Sequence, residues 1–251
     1  MNQSASNNIF MGYQAGKSDP LNPVIGQNNI GIGSSSLYNL NNGAENTCIG
    51  SYSGFAFQYG DANVMVGSDA GRYVSNSNNA IYIGYTAGAS NNGDDNICIG
   101  RGANTQLSNN NISIGTFAGS FCQTDENIHM GASAGRYYQS GNHNLYMGYQ
   151  SGTSFHGCGA QNNNIGIGAY TLNKIDSADN NLAIGVNAGY NIITGGTNLL
   201  IGYEAGYSAT NSSNTMSIGY QAGYSNLVDG GINIGTNAGY NNTRSEEHTS
   251  E

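Results

Sequence analysis

The chain has 251 residues, 39 of them Gly and 40 Asn, with 8% charged residues, a net charge of −9 and no Trp. Ordinary globular domains carry about 25% charged residues; here five basic residues are spread over residues 1–243, which offers no phosphate-binding stripe and excludes nucleic acid as a partner. No apolar run reaches membrane-spanning length and residues 1–30 carry no secretory signal, so no membrane contact is expected from this stretch.

Residues 1–7 read as a short lead-in. From Asn8 onward one phrase recurs in fourteen coils, with four single-position departures: Asn, apolar, variable, apolar, Gly. The closing glycines are Gly12, Gly33, Gly50, Gly67, Gly84, Gly100, Gly115, Gly131, Gly148, Gly168, Gly185, Gly202, Gly219 and Gly235, separated by 21, 17, 17, 17, 16, 15, 16, 17, 20, 17, 17, 17 and 16 residues. A period this regular marks a repeat architecture, in which each unit buries its apolar residues only against its neighbours. It predicts an all-β, parallel β-solenoid of fourteen coils with a period near 17, occupying residues 8–243.

Each coil opens on the strand. The residue before the closing Gly is Ile, Val or Met in all fourteen coils, and the residue two places earlier is apolar in thirteen, Thr47 being the exception. Between them the side chain varies, through Phe10, Gly31, Cys48, Tyr82, Ser113, His129, Leu200 and Asn233. Alternation with a period of two is the mark of a β-strand. The reading expects two aliphatic seats facing the interior and the variable column facing solvent.

The corner follows. Three residues after the Gly stands Ala in ten coils, and Ser36, Ser53, Ser151 or Thr171 in the others, so the backbone approaches the interior closely there. A second Gly comes next in eleven coils, supplying the positive φ of a tight corner. Roughly eight polar residues then read as an exposed turn. Four places before each closing Gly, Asn recurs in eleven coils: Asn8, Asn29, Asn46, Asn63, Asn96, Asn111, Asn127, Asn144, Asn164, Asn181 and Asn198. Stacked carboxamides form a ladder along the axis, with Ala80, Thr215 and Gly231 as its expected weak points. Layers at about 4.8 Å predict a rod roughly 60 to 65 Å long, and no capping helix or plug is visible at either end.

Departures from the repeat are taken in order. Pro20 and Pro23 mark a loop bulging between the first two coils. Cys48 and Cys98 share a column three coils apart, about 14 Å by layer spacing and beyond disulfide reach; Cys122 and Cys158 fall in turns without a paired spacing, so all four are read as free thiols. Asp61, Asp69, Asp94 and Asp125 are read as scattered in phase, which argues against a calcium repeat. After Gly148 an insertion brings His156 and Cys158 near His143 and His129; these are read as solvated turn residues rather than a metal site, and neither metal nor cofactor is expected. The eighteen tyrosines concentrate in two columns, one with Tyr13, Tyr85, Tyr149, Tyr203 and Tyr220, the other with Tyr190, Tyr207, Tyr224 and Tyr240. They form either an aromatic ladder lining a strand edge or subunit interface, or a receptor-binding surface for which Tyr13, Tyr85, Tyr149, Tyr203, Tyr207, Tyr220 and Tyr224 are the candidates. Residues 244–251, Arg-Ser-Glu-Glu-His-Thr-Ser-Glu, resemble a translated sequencing adapter and are expected to lie outside the fold; without Arg244 and three Glu the net charge moves from −9 to −7.

Phrases such as Asn8-Ile-Phe-Met-Gly-Tyr-Gln-Ala-Gly16, Asn198-Leu-Leu-Ile-Gly-Tyr-Glu-Ala-Gly-Tyr207 and Ser217-Ile-Gly-Tyr-Gln-Ala-Gly-Tyr224 resemble the YadA-like head repeats of trimeric autotransporter adhesins. They are also similar to repeats in phage tail fibres and in proteins that end in an endosialidase-type intramolecular chaperone. The resemblance spans residues 8–242, with a longer period than the YadA-type head, and implies a left-handed β-roll, a homotrimer and a role in adhesion. Ile218–Gly223 also matches one hexapeptide of the left-handed β-helix acyltransferases, but those enzymes place three hexads in each coil where this chain has one. No nucleophile, base and acid converge. The expectation is a non-enzymatic, elongated segment of a bacterial cell surface or phage virion, an adhesin head that attaches to a host-surface protein or carbohydrate receptor. A purely structural fibre spacer and an ice-binding solenoid are the alternatives.

Overall fold

The computed structural model describes residues 7–18, 26–104, 106–121, 123–137, 140–153 and 159–241. Most of the lead-in, the Pro20 and Pro23 loop, Cys122, His156, Cys158 and the segment 244–251 lie outside the described residues. Within them the protein is an all-β parallel solenoid with one three-residue strand per coil, and no helix among the described residues. The strands are Ile9–Met11 (β1), Ile30–Ile32 (β2), Thr47–Ile49 (β3), Val64–Val66 (β4), Ile81–Ile83 (β5), Ile97–Ile99 (β6), Ile112–Ile114 (β7), Ile128–Met130 (β8), Leu145–Met147 (β9), Ile165–Ile167 (β10), Leu182–Ile184 (β11), Leu199–Ile201 (β12), Met216–Ile218 (β13) and Ile232–Ile234 (β14).

Two compact units divide the chain, residues 1–129 and 130–251. In the first, β1 to β7 each pair in parallel with the next, position for position. In the second, β9 to β14 do the same. The hydrogen bonds repeat with the coil. Ile9 N donates to Asn29 O and Gly33 N to Met11 O, both at 2.8 Å, and Ile30 and Gly50 take the same roles one coil on.

The alternation predicted for the strand is present, but its faces are exchanged. Cys48, Met65, Tyr82, Cys98, Ser113, His129, Tyr146, Ala183, Leu200 and Ser217, all strand centres, are fully buried. The flanking Ile, Val, Leu and Met residues instead face outward: Ile49 and Ile83 are 38% exposed, and Ile234 is 64% exposed. Phase explains the exchange. The Asn four before the Gly points inward, as Asn46 and Asn63 do at full burial, and a period of two then turns the strand centre inward and the aliphatics outward. Cys48, Cys98 and His129, expected on the surface, are therefore core residues.

The interior is narrow, so each seat is matched to its neighbour in size. Gly16, with φ 63, lies against the Phe10 ring, which a Cβ would strike; Gly88 meets Tyr82 and Gly206 meets Leu200 in the same way. Two coils reverse the arrangement. Where Leu37 and Leu172 replace that corner Gly, the strand centres are Gly31 and Gly166, and both leucines are fully buried despite φ values of 48° and 47°. The long polar connection is not wholly exposed either. It inserts Leu40, Phe57, Val74, Ile175 and Ile192 into the core, seats that the sequence reading assigned to solvent.

Candidate interaction surface

The outward strand face carries two aliphatic columns, such as Ile30, Val64, Ile81, Ile97 and Ile112 beside Ile32, Val66, Ile83, Ile99 and Ile114 in the first unit. Apolar residues exposed singly are ordinary, whereas a continuous stripe is a candidate interaction surface. Immediately after the closing Gly the first tyrosine column borders this face: Tyr13, Tyr85, Tyr149, Tyr203 and Tyr220 are all exposed. Tyr203 and Tyr220 stack at 5.3 Å and 10°, and Tyr149 meets Tyr170 edge-on at 5.2 Å. Tyr13 and Tyr85 are separated in their column by Ser34, Ser51 and Ser68.

The second column forms a rib. Tyr190, Tyr207, Tyr224 and Tyr240 stack in series, with centroids 5.2, 5.0 and 4.9 Å apart and planes within 9°. Their flat faces are occupied by one another, so Tyr207 and Tyr224 present edges and hydroxyls rather than open rings. Burial within the rib raises the pKa of Tyr207 and Tyr224, and their neighbours add to it. The candidate tyrosines thus separate into a border of the aliphatic face and a self-packed rib, and the structure does not gather them into one site.

Cations follow the same side of the coil. Arg72 lies 4.8 Å over Tyr52 and bonds Asp69 at 2.8 Å; Arg101 lies 4.7 Å over Phe117, and Arg136 4.6 Å over Tyr137. Lys17 covers Tyr38 at 5.5 Å and Lys174 covers Tyr190 at 5.2 Å. Each basic residue among the described residues is held against a ring.

On the other side two ladders run along the turns. In the buried one, Asn46 Nδ2 donates to Asn29 Oδ1 at 3.0 Å and to Gly60 O at 2.9 Å, while Asn29 Oδ1 also accepts from Asn46 N. Asn8 to Asn29, Asn46 to Asn63, Asn144 to Asn164, Asn164 to Asn181 and Asn181 to Asn198 repeat the contact. At Asn96, Asn111 and Asn127 the Oδ1-to-backbone bonds continue. At the expected breaks the ladder runs one step further before it stops. Ala80 N and Thr215 N still donate to Asn63 and Asn198, both at 2.9 Å, but Ala80 and Thr215 have no carboxamide oxygen for the N–H of Asn96 and Gly231 in the next coil.

The second ladder lies two residues earlier, at the surface. Asp61, Asn78, Asp94, Asn109 and Asp125 each accept, through Oδ1, a backbone N–H from the preceding coil at 2.6–3.0 Å. Asp61, Asp94 and Asp125 therefore share one phase, which corrects their reading as scattered; Asp69 alone belongs elsewhere. Acid and amide alternate, and Asn78 Nδ2 also donates to Asp94 at 3.1 Å as Asn109 Nδ2 does to Asp125 at 3.3 Å. The signal was available in the spacing once Asn and Asp are counted as one column.

Buried titratable groups show what the core does to charge. Burial lowers His129 to about 4, raises Cys48 to about 12 and raises Cys98 and Tyr82 as well. Cys48 and Cys98 are free thiols. His143 occupies a turn with φ 60, far in role from the buried His129. Among the described residues no group of three or more His, Cys, Asp or Glu is placed to hold a metal ion, and no helix is long and apolar enough to cross a membrane. No family model, curated protein or solved structure matches the chain.

Proposed function

We propose that this chain is a non-enzymatic segment of an extracellular fibre or adhesin head, from a bacterial surface or phage virion, whose copies associate side by side as a homotrimer. The observation that carries the reading is the double aliphatic column on the outward strand face, repeated in coil after coil with Thr47 as its one polar member. Covering such a stripe removes apolar surface from water at about 25 cal/mol per Å². Receptor contacts, to a host protein or carbohydrate, then fall to the faces left open, where turns and tyrosine edges vary between coils.

Sedimentation velocity over a range of concentrations tests the association. The wild type is expected to form trimers, and Ile99→Lys with Ile114→Lys is expected to be monomeric with an unchanged circular dichroism spectrum, because both side chains point outward. A wild type that stays monomeric at every concentration would sink the proposal.

The regularity of the same face favours ice binding as a second reading. Thermal hysteresis in the monomeric range would support it, and normal ice growth would remove it.

A further inference from the structure

We propose that the tyrosine rib of the second unit is a site of oxidative cross-linking, at which a one-electron oxidant joins Tyr207 and its stacked neighbours as dityrosines that tie successive coils together. Three observations carry this. Tyr190, Tyr207, Tyr224 and Tyr240 are held ring on ring at 4.9–5.2 Å, with planes 6–9° apart, so each radical is formed beside its partner. The chain has no Trp to compete, and the thiols Cys48 and Cys98 are buried. The Glu204 carboxylate accepts a hydrogen bond from Gln221 Nε2 at 2.7 Å; it is the main cause that raises the pKa of Tyr203 and adds to burial in raising Tyr207 and Tyr224, so a proton acceptor stands beside the rib.

The step balances with a peroxide-fed haem oxidant. Each of two phenols gives up one electron and one proton. The two phenoxyl radicals then form a bond between ring carbons ortho to their hydroxyls, and the two ring hydrogens transfer to oxygen to restore both phenols. Two tyrosines thereby lose two electrons and two protons in all, and one hydrogen peroxide is reduced to two waters. Because a coil is stabilised only by its neighbours, a bond between adjacent coils keeps the stack from opening one layer at a time and raises its kinetic stability.

The test is to treat the full chain, dilute enough to be monomeric, with a haem peroxidase and hydrogen peroxide, then cleave after acidic residues. Glu204 and Asp229 separate Tyr190, Tyr207 and Tyr240 onto different peptides. Peptide pairs linked through Tyr190–Tyr207 and Tyr224–Tyr240, two hydrogens lighter than their sum, are expected, along with dityrosine fluorescence. Fragment spectra separate Tyr190–Tyr207 from the stacked Tyr203–Tyr220 pair, which joins the same two peptides. Tyr207→Phe with Tyr224→Phe keeps the stacked rings and removes the hydroxyls, so the links through the rib and their share of the fluorescence are expected to be lost without loss of the fold. Links dominated by Tyr13 or Tyr85, links mainly between chains, or an undiminished yield in the double variant would each overturn the proposal.

Discussion

His129 shows how one buried side chain sets a pH limit on this fold. Its imidazole is enclosed at the centre of β8, beside Ser113 Oγ at 3.5 Å, and burial lowers its pKa from 6.5 to about 4. Between those values the unfolded chain binds a proton that the folded chain refuses, so stability is complete above pH 6.5 and falls as pH drops toward 4. The loss over that window amounts to about 3 kcal/mol. His129→Met places in the seat the residue that Met65 already supplies in β4, and is expected to flatten this pH slope; urea midpoints at both ends of the window measure it. A neighbouring rule applies at the surface. Asn78 separates the carboxylates of Asp61 and Asp94 in their ladder, and Asn78→Asp puts three charges at successive layers about 4.8 Å apart. Each new repulsion costs about 1 kcal/mol in water at low salt and fades near 1 M. Thermal melts of Asn78→Asp are expected to show a lowered midpoint that salt restores; a salt-independent change would point to geometry instead.

At the scale of the coil, the strand centre and the corner residue share one volume. Gly206 opposite Leu200 and Leu37 opposite Gly31 are the two solutions. Gly206→Leu alone would force atoms into Leu200, whose Cδ2 lies 2.7 Å from the would-be Cβ, and Leu200→Gly alone would leave a cavity; losses of that kind reach about 2–5 kcal/mol. The double exchange is expected to recover all but the roughly 1–2 kcal/mol of a left-handed leucine, so the two changes should be strongly non-additive in a urea-unfolding cycle. If their effects simply sum, the seats are independent. The coil's period, its strands and the Asn column were legible because they depend on spacing alone. The inward face was not, because the pattern rule assumes that aliphatics are inside, whereas this interior accepts Ala, Ser, Cys or a ring across from Gly. Asn46 and Asn63 held the answer: a buried ladder at that position fixes the phase of the strand after it. The seats of Leu40, Phe57 and Val74 keep one phase, seven residues after the closing Gly, but stayed hidden because the same column holds Asn91 and Asn226, which are buried as polar members and blur its apolar pattern.

For the molecule as a whole, charge is sorted about the aliphatic face. Glu45, Asp61, Asp94, Asp95, Asp125 and Glu126 stand before β3, β4, β6 and β8, and Asp179 and Asp229 before β11 and β14; Lys17, Arg72, Arg101, Arg136 and Lys174 come after β1, β4, β6, β8 and β10, and Asp176 lies in the turn between the two margins, where it accepts from Gly159 N. Of the acids on the latter side, Asp69 is taken up by Arg72 and Glu204 by Gln221. Rotation about an axis parallel to the stack, two-fold or three-fold, brings the acidic margin of one copy to the basic margin of the next. A two-fold axis lying across the stack instead brings acid to acid. Margin contacts contribute only about 0.2–1 kcal/mol each, while like charges opposed across an interface suppress the wrong arrangement. Associated copies are therefore expected to run parallel. Spin labels attached at one exposed turn near the start of a unit should report short distances between copies in the parallel arrangement and long ones in the antiparallel. Asp94→Lys with Glu126→Lys weakens the acidic margin, and is expected to lower affinity and admit long distances. Raising salt should reduce the charge-dependent part of the affinity while leaving the aliphatic contribution in place. Long distances in the wild type would mean that the margins do not choose the direction in which the copies pack.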